Sequence, residues 1–418
     1  MARLMWATFT TDFQPCGPQD LDALLALRSG ILPHVRRLVV QQPRDLVLTN
    51  DCLKSILENM PRKSLKELIN FNSMNLMDLK DVLLSQSGLQ RIYGYIIPDP
   101  TDLQQCNWMW PYLSGIRIYT VILKEHTLTR ELKMQQSLLH GLSMLKQLHI
   151  CYDTYRSPSG VQEAFADISL MLTSELRLSR LKSILLWRID MKQSSQLLFD
   201  RIDVSRLCTL RIVECIGVEP FLDRMADWYN DNSGSLEAFG FSFTKKWWVS
   251  NQNSTRYSVE RFLLICPPLS FLCLDFCETP LLRTDCIIRH GKTLQKLHVS
   301  AYSWPAEPET SVQVYSVQDL EAILEACQRL IRISVDIPWG LVDLGSVDQQ
   351  SCEYELTRCE GDQLLVLREF ESMLVSRINS VSSASCGLTN IKGHDCETSQ
   401  HTHSEISKSS QDPVQQLG

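Results

Sequence analysis

The chain has 418 residues, 44% of them hydrophobic and 21% charged, and carries a formal charge of −7. A single round core rarely grows past ~250–300 residues, so this length implies two or three domains or a core stacked along one dimension. The composition excludes wholesale disorder, no run approaches the ~18 apolar residues of a membrane span, and the acidic balance argues against bulk nucleic-acid binding.

The richest apolar run, Leu263 to Cys277, is broken by Pro267, Pro268 and Asp275. Near the N-terminus, Arg3 is followed by a short apolar run and then Asp12, which does not read as a secretory signal. The 15 cysteines are scattered, as expected of reduced thiols packed as small apolar groups in the cytoplasm or nucleus.

In chain order, residues 1–34 read as an N-terminal cap with a strand over Leu4–Thr11. From Val35 onward the pattern L-x-x-L-x-L, with aliphatic or aromatic substitutes, recurs. The first copies are Val35-x-x-Leu38-x-Val40, Leu65-x-x-Leu68, Leu89-x-x-Ile92 and Leu113-x-x-Ile116-x-Ile118. Next come Leu145-x-x-Leu148-x-Ile150, Leu181-x-x-Ile184-x-Leu186, Leu207-x-x-Leu210-x-Ile212 and Leu236-x-x-Phe239-x-Phe241. Leu269-x-x-Leu272-x-Leu274, Leu294-x-x-Leu297-x-Val299 and Leu330-x-x-Ile333-x-Val335 complete eleven copies, whose starts lie 24 to 36 residues apart. Alternating apolar positions make a short strand with one buried face.

Between the strands the apolar period becomes helical. Asn50 and Asp51 cap a predicted helix carrying Leu53, Ile56, Leu57 and Met60, which Pro61 stops. The same spacing predicts helices through Val161, Phe165, Ile168 and Leu172, through Val218, Phe221, Leu222, Met225 and Trp228, and through Leu320, Ile323, Leu324 and Cys327. One strand and one helix cannot bury their own apolar faces, but stacked copies can. The expected fold is α/β: an irregular leucine-rich-repeat solenoid of right-handed β-α superhelix over residues 35–363, with parallel strands on the concave face and helices on the convex face. Its irregularity follows from the ninth repeat position, where only Cys215 and Cys277 supply the expected Asn or Cys. Residues 364–378 form a predicted capping helix, and the Ser-, Thr- and Gln-rich residues 379–418 a disordered tail.

Catalytic signatures are missing: there is no glycine-rich phosphate loop, no H-E-x-x-H and no G-x-S-x-G. Cys386, His394, Cys396, His401 and His403 lie close together, but their spacing fits no usual zinc site. The expectation is therefore a chain that is not an enzyme and has no cofactor or metal. Lys245-Lys246-Trp247-Trp248 marks a protruding loop whose rings either form a binding finger or cover the solenoid edge.

Positions three, five and seven of each repeat point away from the core. They give Arg91, Tyr93, Tyr95, Arg117, Tyr119, His149, Trp187 and Arg211 as the candidate partner-binding residues. Arg37, Lys296, His298 and Arg332 add positive charge, and Glu67, Asp275 and Asp336 oppose it. Tyr, Trp and Arg are enriched at interface hot spots, though aromatic residues also suit any strand surface. The partner expected on this face is a protein segment bearing acidic or phosphorylated groups, with no nucleic acid and no membrane.

The repeats resemble the leucine-rich-repeat F-box proteins of filamentous ascomycete fungi. The resemblance is carried by Leu32-Pro33-His34-Val35-Arg36-Arg37-Leu38, by Leu210-Arg211-Ile212 running into Gly217-Val218-Glu219-Pro220-Phe221-Leu222, by Ser258-Val259-Glu260-Arg261-Phe262-Leu263-Leu264 and by Ile288-Arg289-His290-Gly291-Lys292-Thr293-Leu294. It covers most of the chain up to about Leu341. It implies a non-catalytic scaffold, similar to the substrate-recognition part of an F-box ubiquitin-ligase receptor. In that family an N-terminal F-box docks on the ligase adaptor while the repeats hold the substrate. Residues 1–30 carry no Leu-Pro-centred F-box motif, so the F-box is expected to be lost or to lie upstream of Met1, and the adaptor is a partner only in the second case. The alternative is a stand-alone leucine-rich-repeat adaptor with no ubiquitin-ligase link.

Overall fold

The computed structural model describes residues 8–12, 32–41, 56–97, 106–124, 129–153, 165–243, 252–276, 281–300, 315–335 and 352–355. Most strands follow the alternation of the sequence. They are β1 (Thr8–Asp12), β2 (Arg37–Gln41), β3 (Glu67–Asn75), β4 (Arg91–Ile97), β5 (Ile118–Lys124), β6 (Gln147–Asp153), β7 (Ala166–Asp167) and β8 (Ser183–Trp187). After them come β9 (Ile189–Asp190), β10 (Thr209–Val213), β11 (Ala238–Phe243), β12 (Phe271–Phe276), β13 (Lys296–Ser300), β14 (Arg332–Val335) and β15 (Cys352–Glu355).

Thirteen of these form one sheet, in the order β1-β2-β3-β4-β5-β6-β8-β10-β11-β12-β13-β14-β15. All pairs from β1 to β14 are parallel, and only β15 runs antiparallel, against β14. β7 and β9 make a separate two-stranded parallel sheet. A sheet in which every strand pairs with its neighbours in sequence is a solenoid-like arrangement.

The register is pinned at the leading edge of the strands. The carbonyl of Arg36 accepts the N–H groups of both Lys66 and Glu67, that of Lys66 accepts those of Gln90 and Arg91, and that of Gln90 accepts those of Arg117 and Ile118. Arg117, Lys146, Lys182, Cys208, Glu237, Ser270 and Gln295 continue the same pattern. All ten acceptors occupy the second position of their repeat.

This ladder corrects one repeat. Ile92 pairs with Tyr119 and Gly94 with Val121, so the fourth copy reads Ile116-x-x-Tyr119-x-Val121, three residues later than its leucines suggest. Repeat starts at 89, 116 and 145 are also more evenly spaced than starts at 89, 113 and 145.

The helices cover one face of the sheet. They are α1 (Leu76–Ser85), α2 (Trp110–Leu113), α3 (Thr129–Gly141), α4 (Ser194–Arg201), α5 (Glu219–Asp231), α6 (Gln252–Ile265), α7 (Thr284–Ile288) and α8 (Val317–Ala326). Asn75 and Asp78 form a reciprocal capping box on α1, and Ser316 and Asp319 another on α8. The predicted helices around Phe221 and Ile323 are α5 and α8, and Ile56–Glu58 ends a helix just before Pro61. The helix predicted through Ile168 does not form. Ala166–Asp167 is strand β7, and Asp167 turns the chain by accepting the backbone N–H of Ser169 at 2.8 Å into a short 3₁₀ helix, Ser169–Met171. Ile168 and Leu172 are buried even so, as members of the main apolar cluster.

Side chains at the fourth and sixth positions join the inner helix faces in one continuous apolar cluster. It includes aromatic pairs packed at a tilt: Phe239 against Phe262 at 4.9 Å between centroids, and Phe241 against Phe276 at 5.5 Å. Among the described residues no helix is long and apolar enough to cross a membrane. The Lys245–Trp248 loop, the predicted helix at 364–378, the tail and its Cys/His cluster lie outside the described residues.

Candidate protein-binding face

The face of the sheet away from the helices is built from positions three, five and seven. At position three, Glu67 takes two arginines: its Oε2 lies 3.6 Å from Nε of Arg37 and 3.4 Å from Nη1 of Arg91. Such half-exposed pairs contribute about 0–1 kcal/mol each. Their effect here is to hold the Arg91 guanidinium along the sheet.

Position five runs through Tyr93, Thr120, His149, Leu185, Arg211, Gly240 and Cys273. Oγ1 of Thr120, which is buried, lies 3.3 Å from Nδ1 of His149. Partial burial, followed by the charges of Arg91 and Arg211, pushes the His149 imidazole below its ordinary pKa, so it is neutral at pH 7. Arg211 lies over Gly240: a β-carbon there would sit 3.2 Å from its Cγ and 3.4 Å from its Nε. Burial raises the Cys273 thiol, while the nearby Arg211 opposes the shift.

At position seven, the Tyr95 hydroxyl donates to Oε2 of Glu131 at 3.3 Å, and Nζ of Lys124 lies 4.1 Å from the Tyr95 ring centroid. Burial and Glu131 push the Tyr95 phenol up to about 12. Trp187 is 39% exposed, a large indole on an open strand surface. Ser242 donates to Asp275 at 3.0 Å.

Six of the eight sequence candidates therefore share this face: Arg91, Tyr93, Tyr95, His149, Trp187 and Arg211. Two do not, because of the three-residue shift in β5. Tyr119 is a core residue, 1% exposed, whose hydroxyl donates to Oε1 of buried Gln135 at 2.7 Å. Arg117 precedes β5 and stands at the leading edge of the sheet, exposed. The true open-face residues of β5 include Ile118 and Thr120, and the even spacing of repeat starts was the signal that identifies them.

Cys215 at the ninth position does what that residue type implies. Its Sγ accepts the backbone N–H of Ile189 from the preceding turn at 3.4 Å, and burial raises its thiol to about 12. Arg188 and Glu214, stacked one repeat apart, both have positive φ (57° and 50°) and pair through their side chains. Among the described residues no group of three or more His, Cys, Asp or Glu is placed to hold a metal ion. What this face offers is aromatic surface and fixed positive charge. No protein-family model and no curated protein matches the chain.

Proposed function

We propose that the chain is a leucine-rich-repeat solenoid whose open sheet face is concave and holds a protein partner. It acts without catalysis, as the substrate-recognition part of an F-box ubiquitin-ligase receptor does. The observation that carries this reading is the joint display of Arg91, Tyr93, Tyr95, His149, Trp187 and Arg211 on four strands of one face. These strands are hydrogen-bonded to both neighbours, which limits the backbone entropy lost there on binding. Seven free cysteines among the described residues suit a reducing compartment, the cytoplasm or nucleus.

The test is capture by the immobilised chain compared with Trp187→Ala and Arg211→Glu variants. Loss of a specific captured protein from both, with unchanged melting, supports the reading; unchanged capture overturns it. Recovery of a cullin-ligase adaptor together with the captured protein supports the ligase link. Recovery of the captured protein alone makes the chain a stand-alone adaptor.

A further inference from the structure

The ladder that sets the strand register also lines up the second-position side chains. From β2 to β8 these are Arg36, Lys66, Gln90, Arg117, Lys146 and Lys182, five of them cations on a chain of net charge −7. Arg36 is occupied, donating to the carbonyls of Pro33 and Val35. Among the described residues, no carboxylate comes within ion-pair distance of Lys66, Arg117, Lys146 or Lys182. Lys63, in the turn ahead of β3, is likewise exposed with no carboxylate in reach among the described residues; Arg180, exposed ahead of β8, donates to the Met144 thioether, and Glu175 is the one acidic residue of the turn before β8. Beyond β8 the row changes character to Cys208, Glu237, Ser270, Gln295 and Ile331.

The arginines around α6 differ. There a groove of about 520 Å³ is lined by Arg256, Arg261 and Arg283, but Glu260 and the aspartates 223, 227 and 285 already neutralise them. At the leading edge from β2 to β8, Lys66, Arg117, Lys146 and Lys182 lack that compensation among the described residues.

We infer that this edge is a second contact surface, which takes an extended acidic peptide segment of the partner laid across the strands. The inference rests on the proposed protein-binding role and adds where the partner's negative charge goes. Neighbouring strands lie ~4.8 Å apart, so Lys66 to Lys182 spans about 19 Å, the length of roughly six extended residues. A protein fits better than a nucleic acid, because the row offers no aromatic side chain on which bases stack.

The test is fluorescence anisotropy of a labelled octaglutamate peptide titrated with the full chain. Saturable binding is expected, weakening about tenfold between about 50 and about 300 mM salt as screening shortens. The double variant Lys146→Glu/Lys182→Glu, and separately Arg117→Glu, should each weaken binding several-fold with unchanged melting curves. Arg211→Glu should leave octaglutamate binding unchanged. The inference is overturned if octaglutamate shows no saturable binding, if the edge variants bind as the wild type does, or if labelled oligo-dT binds more tightly than the peptide. In each case the open-face reading still stands or falls on capture by Trp187→Ala and Arg211→Glu.

Discussion

The backbone N–H of Leu269 donates to Nδ1 of His290 at 3.2 Å, reaching one repeat ahead in the chain. In several repeats the first residue satisfies its own amide through a 3₁₀ turn, as Leu89 does on the Gln86 carbonyl and Leu181 on that of Leu178. Pro267 and Pro268 hold the chain extended before Leu269, so this turn is not available and a side chain from the next repeat replaces it. Leu65 has the same need and meets it with Oε1 of buried Gln86 at 3.0 Å. A buried amide left unpaired would cost about 1–3 kcal/mol.

The His290 contact makes stability depend on pH. To accept the Leu269 N–H, Nδ1 must be unprotonated, and burial pushes the imidazole down to about 4 from its usual 6.5. The unfolded chain therefore takes up the proton first. This contribution is complete above about pH 6.5 and disappears as the pH falls towards 4, a loss of about 3 kcal/mol. Urea unfolding of the wild type and of His290→Gln, measured from neutral pH down to this range, should differ in slope. The glutamine, which copies Gln86, should remove most of the wild type's acid sensitivity below pH 6.5.

Tyr119→Phe deletes the hydroxyl that donates to Gln135, and both residues are buried. The expected cost is about 1–2 kcal/mol, read from the denaturation midpoint, with partner capture unaffected. A tyrosine on the open face would give the reverse pattern, with capture lost and stability unchanged.

Gly291 lies where two stacked repeats approach closely: a β-carbon there would be 2.3 Å from the Ala326 carbonyl oxygen. The obstacle is backbone, which cannot rotate away as a side chain does. Gly291→Ala should therefore destabilise the fold by at least about 1–3 kcal/mol, measured by urea unfolding at neutral pH.

Arg211 depresses the His149 imidazole through its positive charge. Replacing Arg211 with glutamine should raise the midpoint of His149 titration, followed by proton NMR, while burial keeps it below the value of a free histidine. An unchanged midpoint would separate the two residues and weaken the continuity of the open face.

Much of this architecture is legible in the sequence because burial on one face of a strand imposes a period of two, and ten of the eleven copies stand where that period puts them. The β5 segment Ile116-Arg117-Ile118-Tyr119-Thr120-Val121-Ile122-Leu123 is apolar on both faces, so periodicity alone admits two registers and only backbone pairing selects one. Ile168 shows the complementary failure: an apolar spacing of three and four residues records burial, not helix, when an aspartate offers the backbone a competing turn. Within the candidate face, the aromatic and cationic residue types could be read directly. The pairing of Thr120 with His149, and the position of Arg211 over Gly240, depend on neighbours 29 residues away in sequence and follow only from the register.

The two ends of each strand are under unequal constraint. At the leading edge, each carbonyl that accepts two amides ties its repeat to the next, so adding or deleting one residue there would turn every later side chain of that strand to the wrong face. Among the described residues the trailing ends are tied from β8 to β11, where the N–H of Arg188 donates to the Val213 carbonyl and that of Glu214 to the Ser242 carbonyl, while the connections differ in length from one repeat to the next. Loop grafts or epitope tags placed after β6 or β13 should thus leave the sheet unaltered, and it is on that side that a descendant of this chain is free to acquire new contacts.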